Sequence, residues 1–154
     1  MLLESGTTRF IEPSSPVKEK KIEKKEETPN DVLFKKGKLL GVLSLNGLSK
    51  PNGTLQRAAE NQAKYQASIR VQGHFGWNER YQQLRKELPG FHFVEIVNES
   101  WPGQDVNAAA AEMYRSWKYS SGHWSVIDGE CKIYGLAMER GKNGTWYACE
   151  IVGR

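Results

Sequence analysis

The sequence predicts an α+β domain, or a three-layer arrangement of helices about a sheet, the form in which mixed elements bury both sheet faces. Three observations lead there. Leu55 to about Val71 repeats small and apolar residues at helical spacing, and Phe91 to Val97 has strand character. The chain then closes on two alternating runs around Gly141-Lys142-Asn143-Gly144, where Asn-Gly is a strong hairpin signal.

The 154 residues amount to about one ordinary domain. Glu12 to Asp31 holds three prolines, Ser14-Ser15 and the mixed lysine and glutamate run Lys18 to Glu27. Almost nothing there can be buried, so ordering it costs entropy with no apolar burial to offset it. Residues 1–37 are therefore read as a disordered charged linker or tail, and residues 38–154 as the domain.

Leu39-Leu40-Gly41-Val42-Leu43 is apolar, but the turn cluster Ser49-Lys50-Pro51-Asn52-Gly53 keeps that first element short. Thr54 is the candidate N-cap of the long helix, with Leu55, Ala58, Ala59, Gln62, Ala63 and Gln66 on one stripe. Small side chains there suit close packing onto a sheet. After the loop Gly73-His74-Phe75-Gly76, Glu79 to Leu88 is predicted as a second helix stopped by Pro89-Gly90. The strand Phe91 to Val97 leads to Asp105, the cap of a third helix through Val106, Ala109, Ala110, Met113 and Trp117 to about Tyr119. Past the turn Ser120-Ser121-Gly122, the hairpin strands are Lys132 to Glu139 and Thr145 to Val152.

Composition narrows the function. With 38% hydrophobic residues and five Trp, a wholly disordered chain is excluded. No run reaches the ~18 apolar residues of a membrane span, and Met1-Leu2-Leu3 followed by Glu4 does not resemble a secretion signal. The net charge of +4 divides into nine bases and seven acids through Lys38, then thirteen and eleven beyond it. Acids interleave with bases throughout, so nucleic acid is not an expected partner. Cys131 and Cys149 are too few for a disulfide scaffold, and the hairpin register would pair Cys149 with a residue around Leu136 to Met138 rather than with Cys131. A bond between the two cysteines stays open.

His74, His92 and His123 are the only histidines. His92 lies between two phenylalanines of a strand and reads as structural, whereas His74 and His123 occupy glycine-containing loops beside aromatic residues. Two imidazoles and a carboxylate are the usual material of a divalent-metal site. Glu112, Ser116 and Ser120 share one stripe of the third helix, leading toward His123, and Glu95 and Glu99 are further candidate carboxylates. That stripe reads equally well as a solvated face.

The segment Trp117-Lys118-Tyr119-Ser120-Ser121-Gly122-His123, His74 after an alanine-rich helix, and the strand Ile133-Tyr134-Gly135-Leu136-Ala137 together resemble the CAP superfamily, or SCP domain, in its bacterial branch. The resemblance spans about Leu43 to Val152. It implies a three-layer α-β-α sandwich with an antiparallel central sheet, and a cleft where two His and one or two Glu converge, in some members around zinc. His74 and His123 fall on the family histidines and would be the metal ligands. Glu99, with polar flanks, is favoured over Glu95 as the first family Glu; Ser120 replaces the second, and Glu112 on the same stripe is its possible substitute. The family's first helix is expected to be truncated or replaced, because Leu45-Asn46-Gly47-Leu48 runs quickly into Pro51.

The function so implied is an exported or cell-envelope-associated binding module, holding a lipid or envelope component in the His/Glu cleft. The alternative is a metal-dependent hydrolase with zinc on His74 and His123 and Glu99 as general base. Binding is favoured, because two His and one Glu would have to serve as ligands and base together.

Overall fold

The computed structural model describes residues 26–154. Most of the expected tail, residues 1–25, lies outside the described residues, and its last part corrects the domain boundary. Pro29–Leu39 is a helix, α1. The Thr28 hydroxyl accepts from the Asp31 amide while Asp31 accepts from the Thr28 amide, a capping box that satisfies two orphan donors. Val32, Leu33 and Gly37 are buried. The folded unit therefore begins before residue 38, with a helix that stands upstream of the apolar run.

A short 3-10 turn, Leu43–Leu45, leads to β1 at Lys50–Pro51, inside what reads locally as a turn cluster. Pro51 has no amide to donate, which an edge strand tolerates. Helix α2, Gly53–Ile69, is capped by Asn52 rather than Thr54: the Asn52 side chain accepts from the Leu55 amide at 3.0 Å. Helix α3, Trp77–Glu87, strand β2, Phe93–Glu99, and helix α4, Val106–Lys118, follow their expected positions within a few residues. Asp105 caps α4 as expected, accepting from the Ala108 amide at 2.8 Å. Ser121–Ile127, expected to begin in a turn, is a seven-residue helix, α5. Strands β3, Ile133–Arg140, and β4, Trp146–Gly153, form the hairpin.

The strand order is β1-β3-β4-β2. Strands β3, β4 and β2 are antiparallel neighbours, but β1 runs parallel to β3, with Lys50 opposite Ile133 and Pro51 opposite Tyr134. The sheet is thus mixed, not antiparallel throughout. In the hairpin Ala137 faces Cys149, as the Asn-Gly turn implies, and both cysteines are buried and unbonded.

Alternation along the strands sends side chains to two faces, each covered by helices. Phe93, Val97, Ala137, Cys149 and Ile151 pack under α2 and α3 with Leu55, Ala59, Ala63 and Leu84. Ile96, Leu136, Met138, Ala148 and Val152 pack under α1, α4 and α5 with Leu33, Met113, Trp117 and Ile127. Gly135 fixes the spacing of the first layer: a Cβ there would lie 2.3 Å from the Leu55 carbonyl carbon. Beside it the Gln56 side chain donates to the Leu136 carbonyl at 2.8 Å and accepts from its amide at 2.9 Å, continuing the hydrogen bonding of β3 past the end of two-residue β1.

Candidate functional site

The α2 stripe does more than pack. Gln62 and Gln66, buried one turn apart, hold the loop after α2 from both sides: Gln62 donates to the Gly73 carbonyl at 2.7 Å and Gln66 accepts from the Gly73 amide at 3.1 Å. Gln66 also donates to the Ala148 carbonyl at 3.2 Å, tying the loop to β4. His74 follows, and its Nδ1 lies 3.0 Å from Glu95 Oε1. Arg80, one turn into α3, donates from Nε to Glu95 Oε2 at 2.8 Å and from Nη2 to Oε1 at 2.7 Å. Its third nitrogen donates to the Phe75 carbonyl at 2.9 Å.

Glu95 is thus a carboxylate only 1% exposed, held in a fork by Arg80 and bonded to an imidazole that is 47% exposed. Bidentate pairing is the geometry in which a guanidinium best offsets a carboxylate's lost hydration. The remaining consequence is orientation. With Nδ1 turned to Glu95, His74 keeps its other ring nitrogen for solvent. Cys149, which touches Glu95, is no nucleophile: burial first, then the Glu95 charge, push its thiol well above the usual range. Burial likewise raises the Cys131 thiol.

Glu95, not the favoured Glu99, is therefore the partner of His74. Glu99 shares that sheet face but lies at the exposed end of β2, accepting a 3.4 Å bond from Gln72. His123 is not with His74. It sits on α5, whose Val126 and Ile127 pack on the opposite face of the sheet, and Glu112, Ser116 and Ser120 belong to that same layer. Ser120 is the backbone N-cap of α5, and Glu112 is bound by Arg115, whose hydrogen bond is the first cause holding its carboxyl below the ordinary range. His92 stays apart from both, stacked edge-on against Tyr81.

This arrangement does not fit zinc. The two expected ligands belong to different layers, both Glu95 oxygens are engaged by Arg80, and among the described residues no three His, Cys, Asp or Glu gather as a ligand set. Arg80 was invisible in the sequence, being one charged residue in a polar helix. Gln62 and Gln66 were legible as part of the stripe, though not as loop clamps.

Arg80 carries an expected result of its own. Arg80→Met should cost ~3 to 5 kcal/mol in urea unfolding, because it strands a buried carboxylate. His74→Ala should cost under about 1 kcal/mol, having only one half-exposed bond to lose.

A wide groove lies on the other layer. Between the C-terminal end of α1 and α4 a trough of about 560 Å³ is lined by Lys36, Leu40, Ala108, Ala111, Lys118 and Trp124, among others. Ala108 and Ala111 are too small to fill it, and its wall includes buried Tyr114, whose hydroxyl donates to the Leu33 carbonyl at 2.6 Å.

No family model matches the chain, and no curated protein does either. Among solved structures, an outer surface protein from Borrelia burgdorferi is similar, with a TM-score of 0.57 at 17% identity over 79% of this chain and 86% of that one. At that identity the likeness concerns the fold.

Proposed function

We propose that the chain is an envelope-associated binding module with a three-layer sandwich of the CAP type, and that it holds an anionic amphiphile, such as a fatty acid, in the groove between α1 and α4. The observation that carries this reading is the groove itself. Its volume of about 560 Å³ falls within the ~300 to 1,000 Å³ of small-molecule sites, and it joins apolar walls to the cations Lys36 and Lys118. Helices on both sheet faces and the order of elements support the CAP assignment. The shared fold with a bacterial outer surface protein supports the envelope setting. Against the hydrolase alternative weighs the placement of His74 and His123 in different layers of the sandwich, which leaves no shared zinc whose water Glu99 could activate.

The test is binding of decanoate, kept below its aggregation concentration, followed through tryptophan fluorescence. Ala108→Trp, which fills the groove from an exposed helical position, should weaken binding at least ~tenfold. His74→Ala should leave it unchanged. The reverse pattern would return the ligand to the His74 side of the sheet and defeat this reading.

A further inference from the structure

We infer that the face around this groove docks on an anionic lipid bilayer. The inference deepens the envelope reading above and rests on it, but not on the groove being filled. Two of the most exposed large hydrophobic residues, Leu39 and Tyr119, are each 82% exposed, and Trp101 and Leu40 are 64% and 51% exposed. Single exposed apolar residues are ordinary. These four are not scattered. Leu40 lines the groove, and Leu39 lines the adjoining trough with Lys35 and Lys36. Tyr119 lies under the Arg115 guanidinium, 5.6 Å from the ring centre, and the Trp101 amide donates to the Gln104 side chain on the groove wall at 3.0 Å.

The charges on this face are one-sided. Lys35, Lys36, Arg115 and Lys118 surround the two troughs, and the acids there, Glu27 and Glu112, are each bound to a base, Lys35 and Arg115. Among the described residues, Lys36 and Lys118 have no acidic partner, and Lys118 instead lies over the Trp124 ring at 5.7 Å. Lysines beside exposed leucine, tyrosine and tryptophan suit the boundary of an anionic bilayer, where ammonium groups meet phosphates and apolar tips enter the acyl edge. A second copy would bring the same positive charge against it. A protein partner fits less well, because lysine is depleted from the cores of protein interfaces.

The experiment is co-sedimentation of the full chain with vesicles of phosphatidylcholine alone and of phosphatidylcholine mixed with phosphatidylglycerol. Partition is expected with the anionic vesicles only, decreasing as salt rises. Leu39→Ser with Tyr119→Ser, both at exposed positions that leave the fold intact, should weaken it at least ~tenfold. Lys36→Gln and Lys118→Gln should each weaken it about fivefold. Phe75→Ser, in the loop on the opposite layer, is the control that should not. No partition at low salt would overturn the inference, as would partition that survives the Leu39/Tyr119 and lysine changes, since another surface would then carry it. Self-association that Leu39→Ser abolishes, with no vesicle binding, would assign the face to a second copy and overturn it too. Ala108→Trp separates the two readings: loss of decanoate binding with vesicle binding intact leaves docking standing, and decanoate binding without vesicle binding leaves only the groove.

Discussion

Replacing Trp117 by alanine should destabilise the protein by ~3 to 5 kcal/mol, the typical cost of deleting a buried tryptophan and a large share of a small domain's total stability. Trp117 is fully buried, packs edge-on against Tyr114 with ring centres 5.7 Å apart, and sits among residues from α1, α4, α5 and the sheet. Its indole N–H donates to the Val97 carbonyl at 3.1 Å. Strand β2 is the sheet's edge, so that carbonyl has few other ways to be satisfied once buried. Urea unfolding should show the loss as a lower midpoint with an unchanged slope. Trp117→Phe should recover part of the packing but not the hydrogen bond. A Trp117→Ala loss below about 1 kcal/mol would mean that this layer is not the main core.

Glu150 should make the protein less stable as the pH rises, and Glu150→Gln should remove that dependence. The side chain is fully buried on the α4 side of the central strand β4. Its Oε1 has only a 3.5 Å bond from the Ser44 hydroxyl, and its Oε2 has no partner among the described residues. Burial, opposed only weakly by Ser44, raises its pKa from 4.5 to about 8. The folded state therefore keeps the proton that the unfolded chain releases near pH 4.5. The stability of the protonated form is fully present below the unfolded pKa and is lost as pH rises toward the folded one. At ~1.36 kcal/mol per pH unit, the loss is roughly 3 kcal/mol by pH 7 and about 5 kcal/mol above pH 8, where it levels off. Tyr114, Tyr134 and Cys131 feel the same charge and keep their protons through this window, their pKa values being raised chiefly by burial. Thermal melts from pH 5 to pH 9 should show the two proteins alike at the acid end and Glu150→Gln higher at the alkaline end. Parallel curves would place the Glu150 charge in contact with water.

What could be read from the sequence was whatever neighbours in the chain decide among themselves. Asp105 caps α4 with an amide three residues away, Asn143-Gly144 sets the hairpin register, and the helical period of Leu55 to Gln66 marks the buried stripe of α2. The expected mixed α+β architecture rests on those local signals. Segments with weak local signals take their structure from distant partners. The lysines of α1 outweigh its narrow stripe of Val32, Leu33 and Gly37, which becomes worth ordering only against Tyr114 and Leu45. Likewise β1 is two residues long and exists through its pairing with β3, more than eighty positions later. The site divides in the same way. Strand alternation places Glu95 and Glu99 on one face, but it cannot choose between them. The choice fell to Arg80, brought over Glu95 by the packing of α3, and the separation of His74 from His123 fell to which side of the sheet each helix covers. Glu150 follows the same logic: an acid in an alternating strand should face water, yet β4 is central and covered on both faces, so it has no water to face. Hydrogen bonds and periodicity over a few residues are fixed by the chain's local geometry, whereas layer and partner are fixed by apolar burial summed over the whole fold.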